Sequence, residues 1–226
     1  MNVLAELFPH VVQNWDGVLQ ATGETLYMVG VSLLFSVLLG IPLGVLLVLT
    51  SPGHLVPMPW INKLLGTVVN VFRSVPYIVL ILWLLPVSRL LFGTSFGPTA
   101  AILSLVAGAA PFYARLVETA LREVDAGVIE AARAMGASLW QIVLKVLIPE
   151  ALPAMAAGVT VTAVGLVGYS AMAGVIGSGG LGAMAYNYGF NGFQNDTLLV
   201  ATLLLILMVQ LFQAAGDRIV RRLDKR

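Results

Sequence analysis

No cysteine occurs among the 226 residues. That excludes a disulfide framework, a thiol nucleophile and a thiolate metal site. Charge is also scarce. Only 10% of the residues are Asp, Glu, Lys or Arg, against roughly 25% in soluble domains. The net charge of +1 leaves no basic surface for nucleic acid, so none is expected as a partner. The two histidines, His10 and His54, have no glutamate at metal-ligand spacing, and no metal site is expected. No Gly-Lys pair exists, which excludes a Walker A loop and hence an ATP site on this chain. Tyr169, Ser170 and Ser178 lack an in-membrane histidine or lysine to activate a hydroxyl, so no catalytic residue is expected. Glu6 is the only charge before Asp16, so the start lacks the positive region of a cleaved signal peptide.

What the chain has is apolar residues, 59% of the total, gathered in long runs. An all-α integral membrane protein follows, because every backbone polar group must be satisfied internally in lipid. Five runs are long enough to cross: roughly Thr25–Leu49, Thr67–Val87, Thr99–Thr119, Glu150–Ile176 and Thr197–Gly216. Pro76 is expected to kink the second. Leu4, Leu7, Phe8, Val11, Val12, Trp15 and Leu19 share one helical face, which predicts an interfacial helix over residues 1–20. Residues 21–222 then form one membrane domain and 223–226 a short tail.

Five crossings place the two ends on opposite sides, and basic residues decide which. With the C-terminus cytoplasmic, that side takes Lys63, Arg122, Arg133, Lys145, Arg218, Arg221, Arg222, Lys225 and Arg226, and the outside keeps Arg89. The N-terminus is therefore expected outside and the 120–149 loop in the cytoplasm. Arg73 and Arg115 fall near cytoplasmic ends, where they are expected to snorkel, and Arg115 stands at pairing distance from Glu118. No acidic residue falls mid-span, which counts against a proton- or sodium-driven carrier.

The 120–149 loop reads as two short helices. Val128, Ile129, Ala132 and Met135 fall at helical spacing, and Gly136 stands where a helix stop needs positive φ. Ser138 and Gln141 make a capping-box pattern. Leu139, Ile142, Val143, Val146 and Leu147 follow as one apolar stripe. Pro149 suits the first turn of the next helix. The pair is a natural docking surface: Ala131 and Ala132 allow close approach, and Glu130 offers a charge.

The same loop carries a resemblance. Glu130, Ala131, Ala132, Gly136 and Pro149 match the E-A-A, three residues, G, nine residues, I-x-L-P pattern of ABC-importer permeases; Val146 and Ile148 are conservative departures. The flanking PFYARLVETALREVDAGVIEAARAMGAS, with YSAMAGVIGSGGLG and AGDRIVRRL, resembles the permease subunit of the methionine importers, over roughly residues 20–222. The resemblance implies the type I permease architecture, a homodimer, two cytoplasmic ATP-binding subunits that carry ATP and magnesium, and an external substrate-binding protein. It implies ATP-driven alternating access in a bacterial inner membrane, with Glu130, Ala131, Ala132, Gly136 and Pro149 coupling to the ATPase. Methionine or a close derivative is the implied cargo. The alternatives are another small amino acid or short peptide, or a membrane anchor that moves nothing.

Along the fourth run Gly158, Thr162, Gly165, Tyr169, Met172 and Ile176 share a face. Small residues there suit close packing. Gly165, Tyr169 and Met172 are the candidate pathway residues, with Met172 as a flexible apolar seal at the outer end. Gly177, Gly179 and Gly182 spell G-x-G-x-x-G. They follow a membrane helix rather than a strand, so an external turn is expected instead of a dinucleotide site.

Overall fold

The computed structural model describes residues 7–223. Leu4, Lys225, Arg226 and most of the expected 223–226 tail lie outside them. The described residues are almost wholly helical. The helices are α1 (Pro9–Gln13), α2 (Trp15–Leu49), α3 (Pro59–Ser74), α4 (Tyr77–Phe92), α5 (Pro98–Arg122), α6 (Ala126–Ala134), α7 (Leu139–Ile142), α8 (Ile148–Ala173), α9 (Gly180–Met184) and α10 (Asn195–Leu223). Four helical stretches are long and apolar enough to cross a membrane, and the bent pair α3–α4 brings the number to five.

The bundle has two ends. One carries α6 and α7 and is called here the loop end; the other carries α1, α9 and the glycines at 177–182. Helix α2 is the longest single α-helix, at 35 residues. It takes in Trp15–Gln20, which the sequence places in a separate interfacial helix. Only Pro9–Gln13 stands apart, and the His10 backbone N–H and ring both meet the Asp196 carboxylate at 2.9 Å, pinning α1 to the start of α10. Helix α2 lies along α5 because glycines remove the side chains between them. A Cβ on Gly40 would stand 2.6 Å from the Tyr113 ring, and one on Gly44 2.6 Å from Val117.

The second span is where expectation and structure part. A kink at Pro76 is expected; instead the chain turns by 106° between α3 and α4. Proline drives the residue before it out of helical geometry. Val75 accordingly has ψ 124°, and Pro76 itself is extended at φ −55°, ψ 134°. Two consecutive extended residues turn the axis far more than one missing hydrogen bond would.

The external turn expected around Gly177–Asn195 is a packed hairpin. Gly177, Gly179 and Gly180 have φ of 101°, 81° and 76°, a left-handed region open to glycine. The chain then folds back along α8. A Cβ on Gly182 would meet the Ala171 carbonyl oxygen, and one on Gly174 the Ala183 nitrogen, both inside 3 Å, so backbone touches backbone. Glu24 accepts from the Gly180 N–H at 2.7 Å and the Thr25 hydroxyl from that of Leu181 at 2.9 Å, fastening the hairpin to α2.

Two apolar cores result. One, around Met28, Leu105, Leu166 and Leu181, fills the glycine end. The other, around Val48, Val117, Leu121, Ile142 and Leu147, fills the loop end and joins α2, α5, α7 and α8. The outer faces of α4 and α10 stay bare: Trp83 and Leu90 are 79% and 84% exposed. Such faces suit lipid or another apolar surface.

Candidate functional site

The loop-end surface is built by local rules. Asp125 caps α6 through the Gly127 N–H at 2.6 Å. Gly136 ends the turn after α6 with φ +78°. Its N–H donates to Arg133 O at 2.9 Å, and that of Ala137 to Ala132 O at 3.1 Å. The capping box forms in both directions: Ser138 N–H donates to Gln141 Oε1 at 2.8 Å, and Gln141 N–H to Ser138 Oγ at 3.4 Å. Ile142, Val143 and Leu147 turn the apolar stripe into the core.

From Leu139 the chain then runs helical as far as Ile176, and Gly177 breaks it. A helical stop before the fourth span is absent. Pro149 has no N–H for Lys145 O, and in α geometry its ring would press on that carbonyl. A π-helical turn at Val143–Leu147 opens the backbone there and carries the helix past the proline. Helix α7 is therefore joined directly to α8.

Of the five expected coupling residues, Glu130, Ala131, Gly136 and Pro149 are exposed. Ala132 is not: it is 5% exposed and belongs to the loop-end core, so it packs α6 down rather than facing a partner. In its place the surface presents Met135, 82% exposed, and Trp140, 68% exposed. Neither stands out in the sequence, because apolar spacing cannot say which face of a two-turn helix is covered.

On α8 the expected line divides. Gly158 packs against α5, where a Cβ would meet Leu116 and Tyr113 at 3.2 and 3.3 Å. Thr162 is buried and bonds back to Gly158 O at 2.8 Å. Gly165 has open space beside it, and Met172 is exposed. The bare face of α8 runs Val161, Gly165, Gly168 and Met172, at helical spacing, and continues to Val175 in the turn that follows. Ser170 bonds to its own helix at Val167 O, 2.8 Å.

Tyr169 turns instead toward the broken span. Its ring stacks on Tyr77 with centroids 4.5 Å apart and planes 9° from parallel. The Tyr77 hydroxyl meets Ser104 Oγ at 3.2 Å. The stack borders a cavity of about 280 Å³ lined by Phe72, Arg73, Val75, Leu80, Gly108 and Phe112 besides the two tyrosines. Arg115 is held by neighbours on two helices. Its guanidinium donates to Asn70 Oδ1 at 2.9 Å and Gly66 O at 3.1 Å, and pairs with the buried Glu118. Arg122 reaches the same carboxylate at 2.8 Å. The cluster ties α3 to α5.

The fold is that of a type I ABC-importer permease. It superposes on the permease of the inward-facing MetNI methionine ABC transporter with a TM-score of 0.91 at 47% identity, covering 94% of this chain and 98% of that one. The chain belongs to the family described as "binding-protein-dependent transport system inner membrane component", which matches residues 29–226. It is 48% identical to the probable D-methionine transport system permease protein MetI of Vibrio cholerae serotype O1, over 100% of this chain and 99% of that one. It is 51% identical to the methionine import system permease protein MetP of Bacillus subtilis, over 97% and 98%. An amino acid ABC transporter at 20% identity and TM-score 0.78 shares the fold.

Proposed function

We propose that this chain is the membrane-spanning subunit of an ATP-driven importer that carries methionine or a close derivative into the cytoplasm. The observation that supports it best is the continuous helical path from Leu139 to Ile176, which joins an exposed apolar surface to the bare face of α8. Similarity to methionine permeases over nearly the whole length supports the cargo. In this reading two copies meet about a two-fold axis through the bare faces of α8, with Gly165 and Met172 near it. Two cytoplasmic ATPase subunits, holding ATP and magnesium, seat on Glu130, Ala131, Met135, Gly136 and Trp140. An external binding protein delivers cargo at the glycine end, and lipid covers α4 and α10. The N-terminus is outside, and the 120–149 loop and C-terminus are cytoplasmic. Closure of the ATPases moves α7, and α8 moves with it, so the outer end around Met172 opens as the inner end shuts.

The test is reconstitution. The chain, its ATPase and its binding protein in liposomes should take up radiolabelled methionine only with ATP inside and binding protein outside. ATP hydrolysis without uptake of methionine, with uptake of another amino acid, would move the cargo assignment. A complex whose ATP hydrolysis ignores substrate and which moves nothing would make the chain an anchor.

A further inference from the structure

The geometry points to Arg73 as the residue that receives the carboxylate of the cargo inside the membrane. The inference rests on the importer reading above and adds a binding residue to it. Arg73 lines the cavity at the α3–α4 break. That cavity is deep. Gly108, on its wall, lies ten residues past Pro98 and fourteen before Arg122 in α5, or ~15 Å and ~21 Å from the two helix ends at 1.5 Å per residue.

Arg73 itself is exposed at the rim of this cavity, and a cation within a membrane needs a partner or water. The other two arginines nearby have one, since Arg115 and Arg122 share Glu118. Among the described residues Arg73 makes no ion pair. No carboxylate lines the cavity, and the adjacent Asn70 is taken by Arg115. A planar, five-donor group without an ion partner among the described residues thus borders a space of amino-acid size. Guanidinium meets carboxylate by two parallel hydrogen bonds, a geometry water does not match.

The rest of the lining suits the rest of such a molecule. Phe72, Phe112 and Leu80 offer apolar walls for a thioether or aliphatic side chain. The Tyr77–Tyr169 stack joins the broken span to α8. A shift of α8 therefore moves one side of the cavity against the other, so the carboxylate is held in one state and released in the next. The ligand class is a small α-amino acid with a free carboxylate.

The experiment uses the complete complex in proteoliposomes, with radiolabelled methionine on saturating binding protein. The readout is methionine imported per ATP hydrolysed. Arg73→Gln should lower that ratio at least about tenfold, the size expected for a lost charge-assisted contact. Arg73→Lys, which keeps the charge but not the fork, should fall between the two. Arg73→Gln at a ratio within twofold of wild type overturns the assignment. So does a loss of assembly in both variants, which would make Arg73 a structural residue. A deficit seen only in vesicles that contain anionic phospholipid also overturns it, because the anion bound would then be a headgroup phosphate. Wild-type vesicles that import no methionine defeat the importer reading itself, which separates the two failures.

Discussion

Replacing Gly136 isolates backbone conformation from everything else at the loop end. Its φ is +78°, and a Cβ built there finds no atom within 4 Å. No side chain has to move, so the whole cost is the left-handed backbone, roughly 1–2 kcal/mol for an ordinary residue. Valine stands at the upper end because both branches crowd the chain; asparagine visits this region readily and costs little. Since ~1.4 kcal/mol is a tenfold change in an equilibrium, valine should reduce the native α6–α7 turn about tenfold relative to alternatives that tilt α6. The loop-end core is untouched, so the variant should still insert and purify. Co-purification of the ATPase and uptake in proteoliposomes should follow the order Gly136, Gly136→Asn, Gly136→Ala, Gly136→Val, with the first two near equal. Equal performance of Gly136→Val and Gly136→Asn at wild-type level would refute a role for this turn in transmission. Equal failure of the two would show that a small residue is needed against the partner and that φ is beside the point.

Three further outcomes are expected. In a chain without native cysteine, Ser138→Cys should resist an impermeant thiol reagent in intact cells and Asn191→Cys should react; the reverse pattern would invert the topology. Met172→Cys should give a disulfide-linked dimer on mild oxidation without nucleotide and less of it with trapped ATP, because a disulfide needs Cα atoms within roughly 7 Å; a monomer, with cross-linking one turn away instead, would make Met172 a packing residue. Glu118→Gln keeps shape but strips the carboxylate from two arginines, whose side chains are 23% and 42% exposed. Breaking a buried pair costs roughly 3–5 kcal/mol, mostly through the more buried Arg115, so the purified variant should lose several degrees of thermal stability; an unchanged melting point would mean that water already screens the cluster.

What could be read in the sequence was what neighbours along the chain decide. The Ser138–Gln141 capping box and the positive φ of Gly136 are settled within four residues, and both form as expected. The Arg115–Glu118 pair is one helical turn and likewise forms. What could not be read depends on distant partners. Ala132 and Met135 share an apolar pattern, yet one is covered by the loop-end core and the other is bare. Gly158 and Gly165 look alike, yet α5 lies against one and nothing against the other. Pro76 announced a bend but not its size, because Val75 also leaves helical geometry. The glycines at 177–182 announced a turn; that the chain then packs backbone to backbone on α8 depends on Gly182 meeting Ala171 and on Gly174, which the motif did not include.

The widened turn at Val143–Leu147 also fixes an angle. A π-helical turn houses one residue more than α geometry would, and each α-helical residue subtends roughly 100° about the axis. The azimuth at which Trp140 leaves the Leu139–Ile176 helix, relative to Met172 near its far end, is therefore dialled by that single surplus residue. Removing one of the five would close the turn toward α geometry against the Pro149 ring, in a segment of nearly the same length, still apolar and still able to insert. The face that carries Trp140 would point about a quarter-turn away from the one aligned with the bare face of α8.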